Sequence, residues 1–329
     1  MTQHIRMSGK TGVWLMALLF FGAIHLGNAQ KEPQYTQYMY NIGSFNPAYV
    51  GSVETTDIAA LYRAQWVDIE GAPRTIRFGI NHPFNNETMG LGFNVINDQI
   101  GPSTQTFVDV AYSYQVNLSD YVKLSFGMDV GGSFLNVDFS KGTFENPGEP
   151  ILDQETISKF YPTVGAGLFM YGEDGYLGVS VPNFLTDDIY NEEVATIVDD
   201  KLQFNFIGGY VFDLSESLKF KPAVLANYLS GSPVTFNLST NFLINETFTA
   251  GASYRVGSAV SGLAGFQVSP NAFIGYSYDY TTNSLGEYSQ GSHEIIVKFF
   301  LGRDFAKSKK ERMKGEKGKP KQIDSPRFF

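Results

Sequence analysis

The sequence predicts an all-β fold, a transmembrane β-barrel of the outer-membrane type with about fourteen antiparallel strands. Three observations carry this. From Leu202 to Phe300, alternating stretches of roughly ten residues are joined by short turns such as Asp213-Leu214-Ser215-Glu216, Asn245-Glu246 and Ser269-Pro270-Asn271. Charged residues share a strand face that apolar residues avoid. The long connections all leave one end of the predicted strands. A soluble sandwich would instead bury its apolar faces between two sheets.

Residues 1–29 read as an export signal. Arg6 and Lys10 give a positive start, Val13 to Leu26 form an apolar run too short for a comfortable span, and Gly27-Asn28-Ala29 offers a small-residue cleavage site before Gln30. The chain has no cysteine, which excludes disulfides, thiolate zinc sites and a lipid-bearing N-terminal Cys. No later stretch reaches ~18 consecutive apolar residues, so no spanning helix is predicted. The 34 glycines and 15% aromatic residues suit a barrel: glycine lets strands coil tightly, and aromatics form the girdles at the two membrane interfaces.

The lead, 30–54, is aromatic and rich in Asn and Gly, with no sustained period. The strands are then read at 55–63, 73–82, 89–98, 104–116, 120–131, 161–171, 175–181, 202–213, 217–228, 233–243, 247–255, 259–268, 271–280 and 291–300. Ile76, Phe78 and Ile80 alternate with Thr75, Arg77, Gly79 and Asn81. Met89, Leu91, Phe93 and Val95 alternate with Gly90, Gly92 and Asn94. Val122, Leu124, Phe126, Met128 and Val130 alternate with Lys123, Ser125, Gly127 and Asp129. Arg77, Lys123 and Asp129 are costly against lipid, so their face must be the lumen and the apolar face must meet the bilayer. On this reading Arg or Lys at Phe93 or Phe126 costs ~2–4 kcal/mol, and the same change at Asn94 or Ser125 far less.

The long connections, 64–72, 132–160, 182–201 and 281–290, each join an odd-numbered strand to the next even one. They would lie outside the cell, with tight turns and both chain ends in the periplasm. The barrel proper is therefore 55–302, and 303–329 is a basic tail. The net charge of -9 is uneven: 303–329 holds ten Lys/Arg and four Asp/Glu, so the body is strongly acidic. A polar, glycine-spaced tail of this kind is expected to be disordered alone and to suit an acidic partner or anionic lipid. No nucleic-acid motif is present.

The residues resemble the PorP/SprF family over nearly the whole chain after the export signal. The matching blocks begin with Gln34-Tyr35-Thr36-Gln37-Tyr38-Met39-Tyr40-Asn41 and Asn46-Pro47-Ala48-Tyr49-Val50-Gly51-Ser52. They continue through Tyr62-Arg63-Ala64-Gln65-Trp66, Asn97-Asp98-Gln99-Ile100-Gly101-Pro102 and Tyr176-Leu177-Gly178-Val179. Lys219-Phe220-Lys221-Pro222, Gly275-Tyr276-Ser277-Tyr278-Asp279-Tyr280 and Gly291-Ser292-His293-Glu294 complete the order. The resemblance implies an outer-membrane component of the type IX secretion system, linked to its machinery and to peptidoglycan-associated periplasmic proteins. It also implies support for secreted or surface-held cargo such as gliding adhesins, and no catalytic residues. An outer-membrane transport barrel, a porin or a hydrophobic-solute channel, is the alternative.

Beyond the export signal only His82 and His293 are present. Outer-membrane hydrolases combine a His with Ser or acidic partners, but Ser292 and Glu294 share a strand face that His293 does not. No catalytic, cofactor or metal site is predicted. The acidic run Asp187, Asp188, Glu192, Glu193, Asp199 and Asp200 matches no calcium-loop spacing and reads as a solvated loop. Five lead aromatics would expose much apolar surface unless they pack, either as a plug in the barrel or against a periplasmic partner. The candidate partner-binding residues are Tyr35, Gln37, Tyr38, Asn46, Pro47 and Tyr49 in the lead, and Lys309, Lys310, Arg312, Arg327, Phe328 and Phe329 in the tail.

Overall fold

The computed structural model describes residues 33–53, 55–84, 88–141, 156–185 and 201–301. The segment expected to be an export signal, the acidic run from Asp187 to Asp200 and the tail with Lys309, Lys310, Arg312, Arg327, Phe328 and Phe329 lie outside the described residues.

Fourteen antiparallel strands make the wall. They are β1 (Thr56–Ala64), β2 (Arg74–Pro83), β3 (Met89–Ile100), β4 (Ser103–Asn117), β5 (Val122–Asp138), β6 (Thr156–Gly172) and β7 (Gly175–Val181). Next come β8, in two pieces (Gln203–Tyr210 and Phe212–Ser215), β9 (Leu218–Leu229), β10 (Thr235–Ile244) and β11 (Phe248–Arg255). The last are β12 (Ala259–Ser269), β13 (Ala272–Thr281) and β14 (Ser292–Leu301). The two pieces of β8 form one strand. Both pair with β9 in the same register, Gly209 opposite Ala223 and Phe212 opposite Phe220. At the break, the Val211 N–H donates instead to the Asp174 carbonyl at 2.7 Å.

Each strand pairs with its sequence neighbours, and β1 pairs with β14 from Thr56↔Leu301 to Ala64↔His293. That last pairing closes the sheet. A closed sheet leaves no row of unpaired N–H and C=O groups, which hydrocarbon could not satisfy. The turns at the even-to-odd end are short. One of them, between β10 and β11, places Asn245 and Glu246 at φ 52° and 53° and returns the Thr247 N–H to the Ile244 carbonyl at 3.1 Å. These are the paired positive φ angles of a tight hairpin turn.

One connection differs from its sequence reading. A loop over 132–160 is expected, but β5 runs on to Asp138 and β6 starts at Thr156. In the fold the bare Cα of Gly132 leaves room for the Phe160 ring to lie across it. Phe160 also packs on Phe134, with ring centroids 4.8 Å apart. An aromatic covering a strand glycine restores the packing that glycine lacks, so the ladder continues.

The face assignment follows the alternation. Ile76, Phe78, Leu91, Phe93, Phe126, Met128 and Val130 are exposed on the outer surface, while Arg77, Asn94, Lys123 and Ser125 are buried inside. Tyr210, Phe212, Phe220 and Phe242 form a chain of neighbouring rings at the short-turn end, with centroids 4.6, 6.1 and 4.9 Å apart. Such a band of outward aromatics at one membrane edge is a girdle.

Candidate functional site in the barrel lumen

Where the sequence leaves the lead undecided, residues 33–53 lie inside the barrel. Three short 3-10 turns, Tyr38–Tyr40, Ile42–Ser44 and Pro47–Tyr49, fold the segment on itself. Asn46 starts the third turn by accepting the Ala48 N–H at 3.0 Å, and Pro47 sits at its first position, where a missing N–H costs nothing. A lead without period or strand character can thus be compact, because much of its backbone is hydrogen-bonded within its own turns and to the wall.

Near the long-connection end, a buried charge network holds the start of the segment. Arg63 on β1 bridges Asp279 on β13 at 2.7 Å and Glu294 on β14 at 3.0 Å. Glu294 accepts the backbone N–H groups of Thr36 at 2.9 Å and Gln37 at 2.8 Å. The Thr36 hydroxyl donates to Asp279 at 2.8 Å and accepts from Arg63 at 3.1 Å. Arg255 on β11 stands 4.0 Å from Asp279 and donates to Asn237 at 2.7 Å. Four strands and the lead therefore share one set of charges.

Lower in the lumen, Lys298 bridges Asp57 at 2.9 Å and donates to the Tyr40 carbonyl at 3.1 Å. The Lys221 ammonium lies 5.9 Å from the centre of the Tyr40 ring and 5.5 Å from that of Tyr176, within cation–π range. The Tyr38 hydroxyl reaches β9 and β10, 2.9 Å from the Ala223 carbonyl and 2.9 Å from the Ser239 hydroxyl. Burial pushes the Tyr38 phenol well above its usual range, with Ser239 and Arg255 acting in the opposite direction, so it stays neutral. On the other side, Asn46 donates to the Leu168 carbonyl at 3.2 Å, and Tyr49 packs edge-on against Phe169 at 5.6 Å. Gly127 on β5 faces the Pro47-Ala48 backbone so closely that any side chain there would collide with it.

The predicted site residues therefore divide. Tyr35, Gln37, Tyr38, Asn46, Pro47 and Tyr49 are brought together, and all six are buried in the lumen. The six tail residues fall outside the described chain. Arg63, Asp57, Lys221, Arg255, Asp279, Glu294 and Lys298 are not singled out by sequence reasoning. Their signal was a charge recurring on the inward face of strands far apart in sequence. His293 lies on the opposite face from Glu294 and pairs with Tyr276 at 2.7 Å, and His82 pairs with Thr56 at 2.8 Å. Among the described residues no group of His, Cys, Asp and Glu could hold a metal ion.

Above the lead, toward the long connections, lies a cavity of about 400 Å³. Its floor includes Tyr35, Phe45 and Pro47, and its rim includes Ser103, Asn183, Gln203 and Thr235. The sequence model of a family described as type IX secretion system membrane protein PorP/SprF matches residues 27–299. The chain belongs to the PorP/SprF family. It is a membrane protein of the type IX secretion system, its barrel sits in the outer membrane, and its class is that of a secretion-system barrel rather than of an enzyme. No curated protein matches the chain. Among solved structures, the CymD monoaromatic hydrocarbon channel is 13% identical with a TM-score of 0.48, over 84% of this chain and 95% of that one. The Ralstonia pickettii toluene transporter TbuX is 9% identical with a TM-score of 0.46, over 78% and 91%. The NanC porin is 11% identical with a TM-score of 0.41, over 75% and 100%. Likeness at this level says nothing of what this PorP/SprF chain binds.

Proposed function

We propose that this barrel is a plugged, non-conducting scaffold of the type IX machinery in the outer membrane. The observation that carries the proposal is the Arg63–Asp279–Glu294 network, which holds the Thr36-Gln37 backbone inside the lumen. Buried ions are stable only when fully paired, and the lead completes the hydrogen bonding of this network. On this reading Tyr35, Gln37, Tyr38, Asn46, Pro47 and Tyr49 serve the plug, and periplasmic contact falls to the tail. Lys309, Lys310, Arg312 and Arg327 would meet an acidic surface or lipid head groups, and Phe328 and Phe329 would dock beside them. Peptidoglycan-associated periplasmic proteins are the proposed partners there. The outer loops would face secreted or surface-held cargo, gliding adhesins among them.

The reading is tested by deleting the gene and comparing the proteins on the cell surface with those in the medium. Loss of one large adhesin marks a cargo-dedicated role, and loss of many exported proteins marks a core machine part. No change in either would overturn the proposal and favour a transport barrel. Removal of 303–329 is expected to leave the barrel folded and to impair only partner association. A truncated chain that fails to insert would show instead that the tail is structural.

A further inference from the structure

The described start of the lead departs from the sequence reading, which places both chain ends in the periplasm. The wall strands measure depth in the lumen. β1 rises from Thr56 at the short-turn end to Ala64 at the long-connection end, and β14 descends beside it from His293 to Leu301. Thr36 and Gln37 are held by Glu294, which lies opposite Arg63, one step below the outer end of that pairing. The Tyr40 carbonyl is held by Lys298, which lies opposite Ala59 in the lower half. The segment then crosses the lumen, where the Gly43 carbonyl accepts from Asn94 on β3 at 3.2 Å and the Phe45 carbonyl accepts from Ser180 on β7. It finishes low. The Val50 carbonyl accepts from Ser113 on β4, and Gly51 lies against Gly90, the second residue of β3. β1 begins a few residues later at Thr56.

Ahead of Thr36 the chain continues outward. Pro33, Gln34 and Tyr35 line the outer cavity together with Ser103, Gln203 and Thr235. Those last three are the first residues of β4, β8 and β10, strands that start at the long-connection end. In an outer-membrane barrel that end faces the cell exterior. The lead is thus held in two unlike ways. At the periplasmic mouth it is continuous with β1, a covalent anchor. At the outer mouth it is held by hydrogen bonds to Glu294 and Asp279. Local opening starts where no covalent anchor exists. Tyr35 lines the cavity and its neighbour Thr36 belongs to the charge network, so that network is approached from outside.

We propose that the lead is a plug anchored at the periplasmic mouth and open at the outer one: its upstream end is reached from the cell surface, and it unseats from that end. A partner that displaces Pro33, Gln34 and Tyr35 therefore acts from the outer surface, and a periplasmic partner meets the junction with β1 instead. This topology needs only the barrel's place in the outer membrane. It goes beyond the scaffold reading, because it holds whichever partner the barrel serves.

The chain has no cysteine, so an introduced thiol is a unique reporter. The test is labelling of single-cysteine full-length variants with a membrane-impermeant maleimide, on intact and on permeabilised cells. Glu70→Cys, in the connection between β1 and β2, marks the outer side, and Glu216→Cys, in the turn between β8 and β9, marks the periplasm. Gln34→Cys is expected to react on intact cells, as Glu70→Cys does, while Glu216→Cys reacts only after permeabilisation. A Gln34→Cys chain that reacts only after permeabilisation, or under neither condition, would overturn the proposal. A second comparison reads which end unseats. In permeabilised cells Glu294→Ala is expected to bring a gain of labelling at Gln37→Cys and none at Ser52→Cys. No gain at Gln37→Cys, or a gain as large at Ser52→Cys, would mean that the lead does not open from its outer end, and would also overturn the proposal. Should the alanine variant fail to insert, Glu294→Gln, which removes the charge and keeps the shape, takes its place in the same comparison.

Discussion

Glu294 shows at the residue scale why the lead stays in place. Its carboxylate is fully buried, paired with Arg63, and accepts two backbone N–H groups from a segment more than 250 positions away in sequence. Glu294→Ala removes one partner of a buried pair and is expected to cost ~3–5 kcal/mol. The loss should appear in denaturant unfolding of the bilayer-inserted barrel, together with new protease cutting between residues 33 and 53. A variant as stable and as protected as the parent would mean that the network does not hold the lead. Tyr38→Phe deletes only one hydroxyl and should cost ~0.5–1.5 kcal/mol in the same assay. The lead aromatics and the inward charges Arg77, Lys123 and Asp129 were legible in the sequence. The pairing of Arg63 with Asp279 and Glu294 was not, because no local pattern links charges on β1, β13 and β14.

Strand periodicity carries most of the information at the element scale. Outward Phe126 is 46% exposed and inward Ser125 is 0% exposed, as their alternation predicts. Phe126→Arg should cost ~2–4 kcal/mol near the bilayer centre. The sequence reading also expects Ser125→Arg to be mild, and the structure corrects this. The inward face packs against the lead instead of facing an open lumen, so Ser125→Arg and Asn94→Arg should both destabilise the barrel. Gly127→Val goes further, since its side chain would meet the Pro47-Ala48 backbone. It should expel the lead without breaking the wall: protease cutting appears in 33–53 while the unboiled protein keeps its folded mobility on a gel. Loss of that mobility would show that the lead is part of the barrel's own stability. The ends of β5 and β6 reach beyond the expected strands, because the cross-strand Phe160 ring covers Gly132 and packs on Phe134, a contact that no local pattern announces.

For the whole molecule, closure of β1 on β14 and filling of the lumen are separate achievements. The even strand number and the placing of long connections at one end were readable from the sequence, because both follow from hairpin geometry. The filling was not, since an aperiodic lead gives no sign of where it packs. It depends on a polar interior that fits one particular segment, with charges from β1, β11, β13 and β14 converging on Thr36. On the proposed function, the lead makes this barrel a closed scaffold in the outer membrane. The most direct measurement is single-channel conductance of the purified full-length protein in a planar bilayer, beside the Arg63→Ala/Glu294→Ala double variant. No steady current is expected for the parent, and open-channel events are expected for the variant once the lead is released. A steady open pore in the parent would contradict that reading.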